Sequence, residues 1–464
     1  MVKEMAGPTP NPQPAAARVT TGRRAVMATS IGNALEWYDF SVYAFFAVYI
    51  AQNAFRHTND ADQLLKTFMA FGIGFIARPL GALLIGAYGD YAGRKAALTM
   101  TILLMAAGTG VMAFAPGYAA IGIGAPILIV CGRMLQGFSA GGEIGGATAF
   151  LIEHAPAGKK GIYSSWIQAS MAISNVLAAL VATCVTLLLT REQVGNWGWR
   201  IPFIIGLAIA PVGFWLRSTL DETPEFQLEM ERAHKERQSL KTPLLRVIRE
   251  YPKSLVLGTA FSVLWAICVY TLIIFMPTYV QKTLHFEGRQ AFLASLVGNC
   301  FMVVACVFAG SWSDHIGKRK VLTLATCLML VGIYPLLIWL SGSHTTLSLI
   351  AVQSVFCIMV ALFVGVAPAT LAEIFPTAVR SSGMSLSYNF SVTIFGGFAP
   401  AILTFLTLRA GGTFAPAFYV MAACVVSLVA ICFLPSDRLS TPRDQSAPGI
   451  APRPEKRNLS THRG

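Results

Sequence analysis

The sequence predicts an all-α polytopic membrane protein of twelve transmembrane helices, arranged as two six-helix halves. Three observations predict it. Hydrophobic residues make up 55% of the 464-residue chain and charged residues only 12%, with a mean hydropathy of +0.60, whereas a soluble chain carries about a quarter charged residues. Twelve apolar runs recur, each long enough to cross a hydrocarbon core of roughly 30 Å. Two short polar motifs of the first half return in the second half at nearly the same offset.

The elements follow in order. Residues 1–22 are rich in Pro and Ala and read as a disordered tail. No cleavable signal pattern precedes the first apolar run. The N-terminal half, 23–219, holds runs at 24–51, 62–88, 97–116, 125–152, 161–190 and 199–219. A polar stretch, 220–252, separates it from the C-terminal half, 253–434, with runs at 253–280, 291–311, 320–341, 346–373, 381–408 and 413–434. Residues 435–464 contain five prolines and no heptads, and read as a second disordered tail. Gly and Pro occur within the runs, as transmembrane helices tolerate.

The formal charge of +13 follows topology. With the N-terminus inside, one side receives Arg23, Arg24, Arg94, Lys95, Lys159, Lys160, Lys318, Arg319, Lys320, Arg380 and the basic cluster of the central loop. The other side receives far fewer cations. This bias predicts that both termini lie in the cytoplasm, and it argues against nucleic-acid binding. The nine cysteines all fall inside apolar runs, none with metal-ligand spacing to histidine, so they read as small buried hydrophobes.

The halves echo each other. "GAYGDYAGRK" (86–95) and "GSWSDHIGKR" (310–319) share G-x-x-x-D-x-x-G-[RK]-[RK], 224 positions apart. "EHAPAGKK" (153–160) and "EIFPTAVR" (373–380) share E-x-x-P-x-x-x-[KR], 220 positions apart. A duplication of this kind characterises carriers that bind substrate between the halves near the midplane. The loop motif, with "RMLQG" (133–137) in the fourth run, resembles the signatures of the major facilitator superfamily. "GNALEWYDF" (32–40), "WGWRIPF" (197–203), "DETPEF" (221–226) and "AEIFPTAVRSSG" (372–383) narrow the resemblance to its metabolite:proton symporter branch. That branch includes citrate–proton symporters, α-ketoglutarate permease, and shikimate and proline/betaine transporters. The resemblance covers about residues 22 to 435. It implies the major facilitator fold, with Gly86, Asp90, Gly93, Arg94, Lys95, Asp314, Gly317, Lys318 and Arg319 forming a gate that stabilises one conformation.

The residues themselves point to a site. Glu36 lies about 16 Å into the first run and Asp39 follows at i+3, on the same side of the helix. Arg133 is about 12 Å into the fourth run, with Gln136 and Glu143 on its stripe and Gly137, Gly141 and Gly145 on a neighbouring face suited to close helix packing. Arg78 sits nearer the inner end of the second run. Each charge at a span centre costs roughly 2.5–3.5 kcal/mol, so these groups need partners, water or a proton. No histidine lies deep in a run, so carboxylates must carry any coupled proton. Glu36, Asp39 and Glu143 are the candidates. Arg133, Gln136 and Arg78, with Tyr270 and Asn389 from the second half, are candidates for binding substrate. The bland alternatives remain open at this point: the acids can simply neutralise the arginines, Arg78 can brace the motif loop, and Glu143 can belong to the gate.

The sequence thus reads as a monomeric bacterial inner-membrane symporter. It would import a small organic anion, a di- or tricarboxylate such as citrate or α-ketoglutarate, with protons by alternating access. No metal and no cofactor other than the coupling proton is expected, and no Walker-type phosphate loop is present. Its rivals are a carrier of aromatic acids, a carrier of zwitterionic osmolytes, and a non-transporting sensor on the same fold.

Overall fold

The structure is a computed structural model. It describes residues 30, 33–34, 36–55, 59–92, 94–153, 155–156, 158–218, 243–376 and 379–434. The two tails and residues 219–242 of the central stretch lie outside the described residues. So do Gly93, the side chains of Asp90, Arg94, Lys95 and Glu143, and the surroundings of Gly86.

Among the described residues every regular element is helical. α1 runs over 36–54 with a turn at Phe46. α2 (Asp60–Ala92) carries Pro79 directly after Arg78. α3 is Arg94–Phe114, and α4 spans 124–153 with the 3-10 turn Ala140–Gly142 at its middle. α5 is Lys160–Leu188. The short helix Arg191–Asn196 is closed by a capping box between Thr190 and Gln193, and it leads into α6, 198–218. After the short helix Pro243–Glu250 come α7 (Pro252–Lys282), α8 (Gly288–Ile316), α9 (Lys318–Ser343), α10 (Thr346–Ile374), α11 (Arg380–Arg409) and α12 (Ala415–Cys432).

Eight of these helices are long and apolar enough to cross a membrane. α3 and α6 offer shorter apolar stretches, Thr99–Phe114 and Gly198–Pro211, and α1 and α4 are interrupted. Large apolar side chains such as Val304, Val331 and Leu347 face outward. That is the surface expected where the solvent is lipid.

α7 and α11 contain π-helical stretches at Tyr270–Phe275, Val392–Gly396 and Phe405–Arg409. Such insertions concentrate at functional positions. α5 packs along α8, α2 along α4, and α4 against α11. The halves therefore meet on the face that carries the Gly317 turn. They also meet on the opposite face, where Phe45 and Phe46 pack on Phe292 and Phe68 on Phe275.

Candidate functional site

The site begins with two helices whose backbones touch. A Cβ at Gly137 of α4 would lie 1.7 Å from the Gly74 carbonyl oxygen of α2, and one at Gly141 would lie 2.1 Å from the Arg78 carbonyl oxygen. Only glycine permits this approach. Gly145, on the same face, packs on Ser381 and Ser385 of α11. The contact brings the two arginines of the N-terminal half into one cluster. Arg133 is 0% exposed and Arg78 is 1% exposed.

Among the described residues, aromatic rings line these guanidiniums. The Arg133 Cζ lies 4.6 Å from the Phe40 ring centroid, 4.5 Å from Tyr43 and 4.6 Å from Phe71. The Arg78 Cζ lies 4.4 Å from Phe75, 4.7 Å from Phe40 and 5.7 Å from Trp37. Phe40 is common to both. Cation–π contacts of this kind hold a desolvated cation without consuming its N–H donors. Arg133 Nη1 donates to Gln136 Oε1 at 2.8 Å, while its Nε and Nη2 have no partner, and neither do Nε and Nη2 of Arg78. Buried polar groups are nearly always hydrogen-bonded, so four such donor nitrogens mark a place for an acceptor.

A hydrogen-bonded chain links this cluster to one acid. Gln136 Nε2 donates to Thr109 Oγ1 of α3 at 3.0 Å, and the Thr109 hydroxyl is bonded in turn to Asp39 Oδ2. Asp39 and Arg133 make no direct ion pair; Thr109 and Gln136 stand between them. Asp39 is 5% exposed, its Oδ1 has no partner, and a Cβ at Gly206 of α6 would lie 2.6 Å from that oxygen. Glu36 is 9% exposed and acts electrostatically on Tyr270 and Tyr388 of the C-terminal half. The i, i+3 spacing puts the acids about 60° apart around the helix. Asp39 meets α3 at Thr109 and α6 at Gly206.

The C-terminal half contributes neutral groups. Tyr270 opens the π-stretch of α7 and packs edge-on to Phe75 at 5.3 Å, with its hydroxyl unpartnered. Tyr388 packs on Trp265 at 4.6 Å. Asn389 donates to the Gly141 carbonyl oxygen at 2.7 Å, tying α11 to the 3-10 turn of α4.

Both faces carry links between the halves. At the end of α8, Asp314 accepts from the backbone N–H groups of Gly161 (2.8 Å) and Ile162 (3.0 Å) in the first turn of α5. Those N–H groups have no intrahelical partner, and the helix dipole favours an anion there. Gly317 has φ +98°, a conformation that favours glycine, and it reverses the chain into α9. Within the C-terminal half, Lys318 pairs with Glu373 at 2.5 Å, and Arg319 donates to the Cys432 carbonyl oxygen at 3.1 Å. On the opposite face Asp60 pairs with Lys282 at 3.1 Å and Asp62 with Arg409, joining the start of α2 to the ends of α7 and α11.

Sequence reasoning did not single out Thr109, Phe40, Phe71, Phe75, or the Asp60 and Asp62 pairs. A lone threonine and scattered aromatics in apolar runs look like packing. "NDAD" at 59–62 looks like an ordinary acidic helix start.

Known proteins resemble the chain along most of its length. The family described as "Sugar (and other) transporter" matches residues 25–441. The citrate-proton symporter of Salmonella typhi is 35% identical over 410 residues, spanning 88% of this chain and 93% of that protein. The citrate-proton symporter of Klebsiella pneumoniae is 33% identical over 413 residues (88% and 91%). The proline/betaine transporter of Escherichia coli K12 is 32% identical over 415 residues (88% and 82%). Among solved structures, a D-xylose-proton symporter superposes with a TM-score of 0.71 at 18% identity, over 90% of this chain and 98% of that one.

Proposed function

The chain belongs to the sugar (and other) transporter family, within the major facilitator superfamily, and from that premise we propose that it is a proton-coupled symporter importing a small di- or tricarboxylate, such as citrate or α-ketoglutarate, by alternating access. One observation carries the reading. Two buried guanidiniums share Phe40, keep unpartnered donors, and connect through Gln136 and Thr109 to a buried acid. Charge-assisted bonds from arginine to carboxylate are short and strong, and two guanidiniums suit an anion with more than one carboxylate.

Substrate carboxylates would bind Arg133 and Arg78, assisted by Gln136, with Tyr270 supplying a neutral hydroxyl from the other half. Asp39 would carry the coupling proton, while Glu36 answers to the second half. The Asp314 link to α5 would stabilise closure on the motif face, and the Lys318–Glu373 pair would brace α9 on α10 within the second half. The counterpart loop with Asp90, Gly93, Arg94 and Lys95 would serve the first half. The protein would act as a monomer in the bacterial inner membrane, with both termini in the cytoplasm and no cofactor besides the proton. The pairing of citrate-proton symporters among its relatives with these arginines supports the substrate class.

Relatives that carry proline and betaine support a second reading, a zwitterion carrier. A quaternary ammonium would need free aromatic faces. Here the rings of Phe40, Tyr43, Phe71 and Phe75 already lie against guanidiniums, which favours the anion.

Uptake of radiolabelled citrate, α-ketoglutarate, phthalate, shikimate and proline into proteoliposomes under an imposed pH gradient tests the proposal. Accumulation of a carboxylate that collapses with the gradient is expected. Uptake of proline alone, or uptake indifferent to the gradient, would overturn it.

A further inference from the structure

The Thr109 hydroxyl stands among three polar partners and has one proton. Asp39 Oδ2 is bonded to it, the Met105 carbonyl oxygen lies 3.0 Å away, and Gln136 Nε2 lies 3.0 Å away. The amide nitrogen can only donate, so Thr109 accepts there, and the carbonyl can only accept. The carboxyl of Asp39 does either: ionised it accepts, protonated it donates.

Two complete arrangements follow. With Asp39 ionised, Thr109 gives its proton to the carboxylate and accepts from Gln136. With Asp39 protonated, the acid donates to Thr109 Oγ1, whose own O–H turns to Met105. The hydroxyl's two lone pairs accept Asp39 and Gln136 together. The balance is simple: Asp39 gains one proton from solution, and the Thr109 proton stays on Thr109 and rotates.

We propose that Thr109 is a positioning residue whose hydroxyl turns with the protonation of Asp39 and passes that change through Gln136 to the substrate-binding guanidinium of Arg133. In the ionised arrangement the chain Gln136–Thr109–Asp39 ends on an anion, and each bond polarises the next. The Gln136 amide is held firmly, and its Oε1 holds Arg133 Nη1. In the protonated arrangement Thr109 accepts two bonds and donates to a neutral carbonyl. The hold on Gln136 weakens and Arg133 is released toward an incoming anion. Proton and anion then bind cooperatively although they occupy separate groups.

The charged and titratable groups around Asp39 are few among the described residues. Arg133 faces it from α4, and Tyr38 and Glu36 share its helix. The Tyr38 hydroxyl is engaged with the Pro202 carbonyl oxygen at 3.1 Å. From α3 and α6 the neighbours are Thr109 and Gly206.

The inference rests on the symporter reading above, and its test separates the two. In proteoliposomes, gradient-driven accumulation of radiolabelled citrate, or of whichever panel compound the wild type accumulates, is divided by its counterflow exchange. Coupling between sites typically corresponds to ~5–150-fold in affinity. Thr109→Val keeps the shape without the hydroxyl and should lower that ratio at least about fivefold. Thr109→Ser keeps the hydroxyl and should restore it. If Thr109→Val does not fold, Thr109→Ala carries the same expectation. Proton uptake on citrate binding, followed with a pH dye in weakly buffered detergent, should fall in parallel. A wild type with no gradient dependence overturns both readings. A coupled wild type whose Thr109→Val variant has an unchanged ratio and unchanged proton uptake overturns the role of Thr109 alone.

Discussion

Replacing Phe40 with leucine removes the ring that, among the described residues, both arginines share. Its centroid lies 4.7 Å from Arg78 Cζ and 4.6 Å from Arg133 Cζ. Each cation–π contact is worth roughly 0.5–2 kcal/mol, more when desolvated. Each arginine keeps other rings, Phe75 and Trp37 for Arg78 and Tyr43 and Phe71 for Arg133. The loss therefore falls in the lower part of the summed range, about 1–2 kcal/mol. With 1.4 kcal/mol per tenfold, KM should rise roughly 5–30-fold. Turnover should change little, because the ring orients the guanidiniums equally before and during the conformational step. The assay is the concentration dependence of uptake into proteoliposomes of whichever panel compound the wild type accumulates, with detergent-purified thermal stability as a folding control. Phe40→Tyr, which keeps the ring, should stay near wild type. A folded Phe40→Leu variant with KM within about twofold of wild type would refute the ordering role assigned to the shared ring.

Two further predictions concern the frame around the site. Gly137→Ala puts a Cβ 1.7 Å from the Gly74 carbonyl oxygen, where ordinary contact begins at 3.4 Å. It should destabilise the protein by ~1–3 kcal/mol or more and depress uptake. Gly110→Ala meets nothing within 4 Å and serves as the control; equal melting temperatures for the two would sink the close-packing account of α2 and α4. On the opposite face, Asp62→Arg sets like charges together at Arg409. In a background lacking the native cysteines, labelling of a Phe68→Cys reporter by an impermeant maleimide should increase up to about fivefold, since exposed pairs are worth ~0.2–1 kcal/mol. Adding Arg409→Asp should reverse the increase, and persistence of the labelling would argue against the pair as a latch.

Much of this architecture is visible in the chain because its causes are local. An apolar run of spanning length has one good solution in a bilayer, a helix. The runs at 62–88, 161–190 and 346–373 accordingly lie on Asp60–Ala92, Lys160–Leu188 and Thr346–Ile374. Charged residues in such runs are equally visible, since each carries an insertion cost. Glu36, Asp39, Arg78 and Arg133 stood out for that reason. Thr109 and Phe40 carry no such cost. A hydroxyl can bond its own helix, as Thr109 also does to Met105, and a phenylalanine is at home in any apolar run.

By itself, then, the sequence determined the class of molecule, the number and order of its apolar runs, the repeat of its motifs, and which charges fall inside those runs. These depend on composition, period and repeat, all readable along one dimension. Only the tertiary structure decided which of those charges meet and through what. Arg78 and Arg133 come together because glycines let α2 and α4 touch, with Gly137 against Gly74 and Gly141 against the Arg78 backbone. Asp39 meets Thr109 of α3 and Gly206 of α6 because that flank of its helix packs on both. Asp39 reaches Arg133 only through a threonine of α3 and a glutamine of α4. The rotation and crossing of neighbouring helices set those meetings, and neither quantity is written in any single run.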